Sequence, residues 1–173
     1  MTFVNGGFLE TLKNFDIPTC LRICAGTDGS VTFLLEIMTK NEVSVETEEQ
    51  YIVSADEDMA ALLGIDPGED VNHRTVILLA GGVPYVHALS LAPIERMPKR
   101  VRQDMMQANI PIGKILRNSG VETRRDFDTI EMDDGQDLFT SKLVLSRTYR
   151  IVHHNTTMMW IKERFPADVR WNL

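Results

Sequence analysis

Alternating or β-rich runs of hydrophobic residues predict strands in six parts of the chain. A period of two indicates a strand that buries one face. Two pairs of these runs lie close enough in sequence to form hairpins. The predicted strands cover 43–53, 71–80, 83–92, 121–131, 143–152 and 157–165.

Apolar residues at helical spacing predict a second set of elements. The clearest helix follows Asp28-Gly29-Ser30, which supplies cap candidates before an apolar stripe. Another segment predicts only one helical turn, at 58–63. The remaining predicted helices cover 8–13, 98–108 and 111–116, beside the capped helix at 31–39.

The first predicted hairpin places an arginine among apolar side chains. Gly81 and Gly82 separate its strands, and glycine accepts a positive φ at both positions of a two-residue turn. In that register Arg74 lies opposite Leu89, and cross-strand partners share a face. The predicted neighbours of Arg74 on this face are Val76, Leu78, Tyr85, His87 and Leu91.

The second predicted hairpin joins 143–152 to 157–165 and carries another charge on its apolar face. A loop with an odd number of residues, such as 153–155, matches the apolar faces of both strands. Arg147 then lies opposite Ile161 and diagonal to Glu163. An even loop puts Arg150 on that face instead, so both arginines stay candidates.

Charged side chains on an apolar face cost several kcal/mol unless they are paired. One interpretation of Arg74 and Glu163 is a structural ion pair. The other is a pocket for an anionic or polar small molecule, because the planar fork of arginine matches a carboxylate.

Composition limits the classes of function. The chain has 173 residues, 25 acidic against 18 basic, with a net charge of −7 and 43% hydrophobic residues. These values predict one domain over 1–173. The acidic balance argues against a nucleic-acid partner. The apolar runs are far shorter than a membrane span, and no secretory leader is visible, so we expect a cytoplasmic protein with no membrane contact.

Motifs for cofactors and metals are missing from the sequence. The chain contains no GxxxxGK[ST], GxGxxG or GxSxG pattern. Its four histidines lack HExxH or Cys-His spacing, and Cys20 and Cys24 alone make neither a zinc quartet nor a disulfide framework. We therefore expect reduced, structural thiols, no metal and no organic cofactor.

Four short motifs then follow one another in a recognisable order. They are Asp28-Gly29-Ser30-Val31-Thr32, His73-Arg74-Thr75-Val76, Pro111-Ile112-Gly113-Lys114-Ile115-Leu116 and Glu163-Arg164-Phe165-Pro166. Over about residues 20–166 the chain resembles the chorismate pyruvate-lyase family, including its archaeal branch. The resemblance implies an α+β fold: a central antiparallel sheet of about six strands, with helices on one side and helical flaps over an enclosed site.

The resemblance also implies a reaction and a set of site residues. Family members cleave chorismate to 4-hydroxybenzoate and pyruvate without metal or organic cofactor. On the matching positions, Arg74 and backbone groups near Val31 and Ile112 would hold the ligand carboxylate. Glu163 would approach the ring hydroxyl, orienting it or acting as a base. Arg147 or Arg150 would steer the enolpyruvyl group.

Three other interpretations stay open. The same architecture serves as a small-molecule effector domain in transcription regulators, although only about 20 residues precede the family-like region here. A lyase acting on a related enolpyruvyl acid fits the same residues. A purely structural protein would keep Arg74 and Glu163 as an internal pair.

Overall fold

A computed structural model describes residues 2–3, 7–107, 109–134 and 137–173. Its centre is a seven-stranded sheet in the order β1-β5-β6-β7-β4-β3-β2, antiparallel at every neighbouring pair. Six strands are long and β1 adds two residues at an edge, which confirms the expected sheet. The strands are β1 Thr2–Phe3, β2 Val43–Ser54, β3 Asp70–Ala80, β4 Val83–Pro93, β5 Arg124–Asp133, β6 Val144–His153 and β7 Thr156–Pro166.

Six α-helices and two 3-10 turns are described beside the sheet, and the α+β class is confirmed. The helix Thr19–Gly26 was not predicted, because Pro18 precedes it without a side-chain cap. The last residue of the predicted helix 98–108 lies outside the described residues. The helices are α1 Phe8–Asn14, α2 Thr19–Gly26, α3 Val31–Thr39, α4 Glu57–Leu63, α5 Lys99–Gln107 and α6 Ile112–Ser119, and the 3-10 turns are Ile94–Arg96 and Val169–Trp171.

The β3–β4 hairpin turns at Gly81 and Gly82, both at positive φ, as predicted. The predicted pairing fails beyond the first two residue pairs. A bulge leaves Tyr85 without a directly paired residue on β3, so Arg74 lies opposite Ser90 and not Leu89. The face of Arg74 therefore carries Val86, Ala88 and Ser90 in place of the predicted His87 and Leu91. Tyr85, at the bulge, still packs in one apolar cluster with Val76 and Leu78, as predicted. Small side chains opposite the arginine leave space there.

The β6–β7 hairpin contains a second compensating irregularity. Its turn is the two-residue pair His154-Asn155, both at positive φ, so the predicted odd loop is wrong. A bulge at Met158 shifts the register and restores the apolar match. As a result Arg147 pairs directly with Glu163 instead of lying diagonal to it.

Two apolar clusters cover one face of the sheet. The first joins α1, α2 and α3 to the sheet, and the second joins α5 and α6 to it. A third cluster, around Leu63 of α4, covers the opposite face, so the helices do not all lie on one side as expected. That face carries Leu89, Leu91 and Trp160, which need covering. Within the described part of the chain, no helix is long and apolar enough to cross a membrane.

The C-terminal 3-10 turn closes the first cluster through Trp171. This side chain is 1% exposed, and its indole nitrogen donates to the Pro166 carbonyl at 2.7 Å. Its ring meets Tyr85 edge-on with centroids 5.0 Å apart. The end of the chain is therefore part of the core.

We expect Trp171→Ala to lower the free energy of unfolding by about 3–5 kcal/mol, because it leaves a cavity and an unpaired carbonyl. Val169, two residues earlier and 79% exposed, is the matched control. Val169→Ala should change stability by less than about 0.5 kcal/mol. Urea unfolding followed by circular dichroism measures both; equal effects would show that the C-terminal turn is not part of the core.

Candidate functional site

The charged residues of the helix-covered face lie at a cavity beneath α3, α6 and the segment before α6. The cavity measures about 50 Å³, room for only a few waters at roughly 10–15 Å³ each. The lining residues are Ser30, Val31, Thr32, Arg74, Val76, Leu78, Ala88, Ser90, Pro111, Ile112, Gly113, Arg125, Tyr149, Ile161 and Glu163.

Strand pairing sets the positions of the polar residues on the cavity floor. Arg74, Ser90, Ile161 and Tyr149 form one row across β3, β4, β7 and β6. Glu163 lies in the next row, opposite Ala88. Standard strand spacing separates the backbones of Arg74 and Glu163 by about 10 Å across the sheet and about 7 Å along it. The two side chains therefore mark opposite ends of the floor.

Arg74 is 1% exposed, and burial lowers the pKa of its guanidinium below the ordinary value. One terminal nitrogen donates to the Ile110 carbonyl at 3.0 Å, and the other lies 4.0 Å from the Met105 sulfur. Gln50 donates to the Met105 carbonyl at 2.7 Å. Arg74 and Gln50 thus hold α5 and the start of the next segment over the cavity. An anion beside Arg74 would offset the desolvation of its charge.

Glu163 is held by two hydrogen bonds. Arg147 Nε donates to its Oε2 at 2.7 Å, and the Tyr149 hydroxyl donates to its Oε1 at 2.9 Å. Burial, and then the nearby negative charge of Glu163, raise the pKa of Tyr149, so the phenol keeps the proton that it donates. A carboxylate accepts about four hydrogen bonds. Glu163 therefore retains acceptor capacity toward the cavity, which it lines.

Arg147 lies beside the cavity but is not one of its lining residues. It is 0% exposed; burial alone would lower the pKa of its guanidinium, but the charge of Glu163 raises that pKa above the ordinary value. Its Nη1 donates to the carbonyls of Ala25 at 2.7 Å and Thr27 at 3.1 Å. Arg147 thus fixes the end of α2 and the loop before α3 against the sheet.

Arg150, the alternative to Arg147, lies on the other face of β6. It forms an ion pair with Asp128 at 2.9 Å, and its side chain is 38% exposed. The structure therefore separates the two arginines that the sequence left open, and only Arg147 contacts Glu163.

Two helix N-termini meet at the top of the cavity. Val31 begins α3 and Ile112 begins α6, the two positions where backbone groups were expected. The Ser30 hydroxyl accepts from the Phe33 amide and caps α3. A Cβ on Gly113 would clash with this hydroxyl, so a larger residue there would displace the Ser30 side chain from its cap. First-turn amides have no partner within their own helix, and the helix dipole favours an anion there.

Arg125 is a lining residue that the sequence reasoning missed. It lies on β5 opposite Ile151, and its Cζ is 5.9 Å from the centroid of the Tyr149 ring. The alternation of 121–131 places Arg125 and Phe127 on one face. The sequence does not give the pairing of β5 with β6, and only this pairing places that face at the cavity.

Among the described residues, no group of three or more His, Cys, Asp and Glu side chains is close enough together to hold a metal ion. Both cysteines are free thiols on α2, and burial raises the pKa of Cys24 to about 12.

Comparison with known proteins gives consistent results. The family model described as "Chorismate pyruvate-lyase Rv2949c-like" matches residues 26–173. The protein named "Putative lyase MJ0807" of Methanocaldococcus jannaschii is 35% identical over 164 residues, covering 88% of this chain and 81% of that protein. The chorismate pyruvate-lyase of Mycobacterium tuberculosis is 26% identical over 160 residues, covering 86% and 80%.

Solved structures share the fold at lower identity. PhnF from Mycobacterium smegmatis superposes with a TM-score of 0.68 at 17% identity, covering 83% of this chain and 66% of that chain. The separate effector domain of PhnF gives a TM-score of 0.62 at 15% identity, covering 82% and 90%. At these identities the likeness establishes the architecture alone.

The buried Arg147–Glu163 pair generates a stability prediction. Arg147→Met leaves the Glu163 carboxylate buried without its cation, and we expect a loss of about 3–5 kcal/mol in the free energy of unfolding. The double variant Arg147→Met, Glu163→Leu removes both charges and should recover most of that loss.

Arg150→Met is the matched control, because it breaks a partly exposed pair worth about 1 kcal/mol or less. Chemical unfolding of the four proteins, wild type included, gives the comparison. If the double variant is no more stable than Arg147→Met alone, the unpaired carboxylate is not the cause.

Proposed function

Because the chain belongs to the Rv2949c-like chorismate pyruvate-lyase family, we propose that it cleaves chorismate to 4-hydroxybenzoate and pyruvate. The C3–O bond of chorismate breaks, the electrons of the C4–H bond complete the aromatic ring, and the C4 proton is taken up, directly or through solvent, by the released enolpyruvate, which becomes pyruvate. The reaction needs orientation, neutralised carboxylates and a proton acceptor. Orientation and charge neutralisation are tasks for protein side chains and backbone amides.

The observation that carries the proposal is a buried cation beside two helix N-termini in one small cavity. We assign the ring carboxylate of the ligand to Arg74 and to the first-turn amides at Val31 and Ile112. A carboxylate accepts hydrogen bonds from a guanidinium fork and from backbone amides together. The low exposure of Arg74 strengthens this attraction, because water competes weakly there.

Glu163, at the other end of the floor, receives the C4 hydroxyl, which lies para to the ring carboxylate. We assign it the role of hydrogen-bond acceptor. Both of its oxygens already accept from Arg147 and Tyr149, and a carboxylate so engaged is a poor acceptor for a proton from carbon. Its remaining lone pairs suffice to orient a hydroxyl.

The second candidate function is a non-catalytic binding domain for an aromatic acid. The reason for considering this alternative is that PhnF and its effector domain share the fold of this chain. A lyase for a related enolpyruvyl acid is the third candidate, since the same two ends of the cavity would hold any ring acid with a para hydroxyl. Turnover separates the two lyases from the binding domain, and the acid that is cleaved separates one lyase from the other.

The first experiment incubates chelator-treated protein with chorismate, measuring 4-hydroxybenzoate by chromatography and pyruvate by a coupled assay. We expect equimolar products above the spontaneous rate. Arg74→Ala should lower kcat/KM by about 30-fold or more, since truncating a buried, charge-paired group costs about 2–5 kcal/mol.

Arg74→Lys, which keeps the charge but loses the fork, should retain an intermediate activity. Circular dichroism checks that each variant folds. Tight binding of 4-hydroxybenzoate without turnover would favour the effector domain instead, and unchanged kcat/KM in Arg74→Ala would reject the carboxylate assignment.

Glu163→Gln tests the role of the carboxylate. Glutamine still accepts a hydrogen bond, so we expect kcat to fall by no more than about tenfold, whereas loss of a general base costs about 10²–10⁴-fold. Single-turnover rates of the purified variant give the answer. A fall of a thousandfold in a folded variant would make Glu163 the base.

A further inference from the structure

One arginine of the cavity, Arg125, has structural contacts that use only part of its donors. Arg125 lines this cavity and also a groove on the outside of the protein. Ser30 and Gly113 are the other residues common to both spaces. Arg125 therefore lies where the cavity opens, beside the N-termini of α3 and α6.

The donors of Arg125 are only partly used. Its Nη1 donates to the Asp28 carbonyl at 3.2 Å. Its Nε is buried, with no hydrogen-bond partner in the part of the chain that the structure describes. The guanidinium lies over the Tyr149 ring, which keeps it on the cavity side. A buried donor without a partner costs free energy that an anionic ligand would recover.

The other arginines near the cavity are held by other groups, although Arg147 Nη2 is likewise buried without a hydrogen-bond partner among the described residues. Arg147, expected to steer the enolpyruvyl group, is bound to Glu163 and to two carbonyls of the α2–α3 region. Arg150 is on the opposite face with Asp128. Arg74 lies on β3, four strands from β5 in the sheet order. Arg125 and Arg74 thus place cations on opposite sides of one cavity, about 19 Å apart at their backbones by strand spacing.

We infer that Arg125 binds the second carboxylate of a dicarboxylate ligand, the enolpyruvyl carboxylate of chorismate under the proposed function on which this inference rests. The ring carboxylate occupies the Arg74 end, and the side chain of the substrate extends toward the opening. Arg125 then distinguishes substrate from the aromatic product, because 4-hydroxybenzoate carries the ring carboxylate alone. It also places the leaving enolpyruvate beside the exit groove.

The test compares ligands with two and one carboxylates. In Arg125→Ala we expect the KM for chorismate to rise at least about tenfold, the loss of one charged hydrogen bond, while the Kd for 4-hydroxybenzoate changes less than about twofold. Arg125→Lys should restore part of the chorismate affinity. Arg124→Ala is the matched control: its side chain is 57% exposed and pairs with Asp126, so both values should match wild type.

Equal weakening of both ligands in Arg125→Ala, or no change in either, would overturn the inference. If the wild type binds chorismate without converting it, the proposed lyase function fails, and calorimetric Kd values for the same variants then decide the role of Arg125. A selective loss of chorismate binding would still support it.

Discussion

The structure depends on how it offsets the free-energy cost of burying charged side chains on an apolar sheet face. Arg147 and Glu163 offset this cost by forming an ion pair across β6 and β7, at 2.7 Å. The same guanidinium holds the carbonyls of Ala25 and Thr27, so the pair also sets where α3 begins. One ion pair thus connects the carboxylate of the cavity floor with the helix N-terminus at its roof.

Arg74 meets the same cost differently. Its guanidinium donates to a backbone carbonyl and lies beside a sulfur, and burial lowers its pKa. A group held in this way gains more from a bound anion than an exposed arginine does. The floor of the cavity therefore has an ion-paired end at Glu163 and a buried cation at Arg74. Under the proposed function, this asymmetry sets the direction in which a para-hydroxy acid would lie.

Much of the architecture followed from periodicity. Six long strands and most helices lie within a few residues of their predicted bounds, because each buries one regular face. The predicted strand registers were wrong where the strands contain β-bulges. The extra residues Tyr85 and Met158 each shift a register by one, and nothing in their local sequence marks them. The partners of Arg74 and Arg147 were therefore misplaced, although the faces of these arginines were right.

The site was predictable only in part for the same reason. Arg74 and Glu163 stood out because each interrupts an apolar strand face. Arg125 did not, because its strand is half-exposed and contains several charges, and its use depends on how β5 pairs with β6. Long-range register decides which side chains share a cavity, and the sequence alone does not give it.

A crystal structure with 4-hydroxybenzoate tests the account most directly. The account predicts the ligand carboxylate within hydrogen-bond distance of the Arg74 guanidinium and the amides at Val31 and Ile112, with its hydroxyl on Glu163. A ligand bound with its carboxylate at Glu163, or in the outer groove away from Arg74, would contradict it.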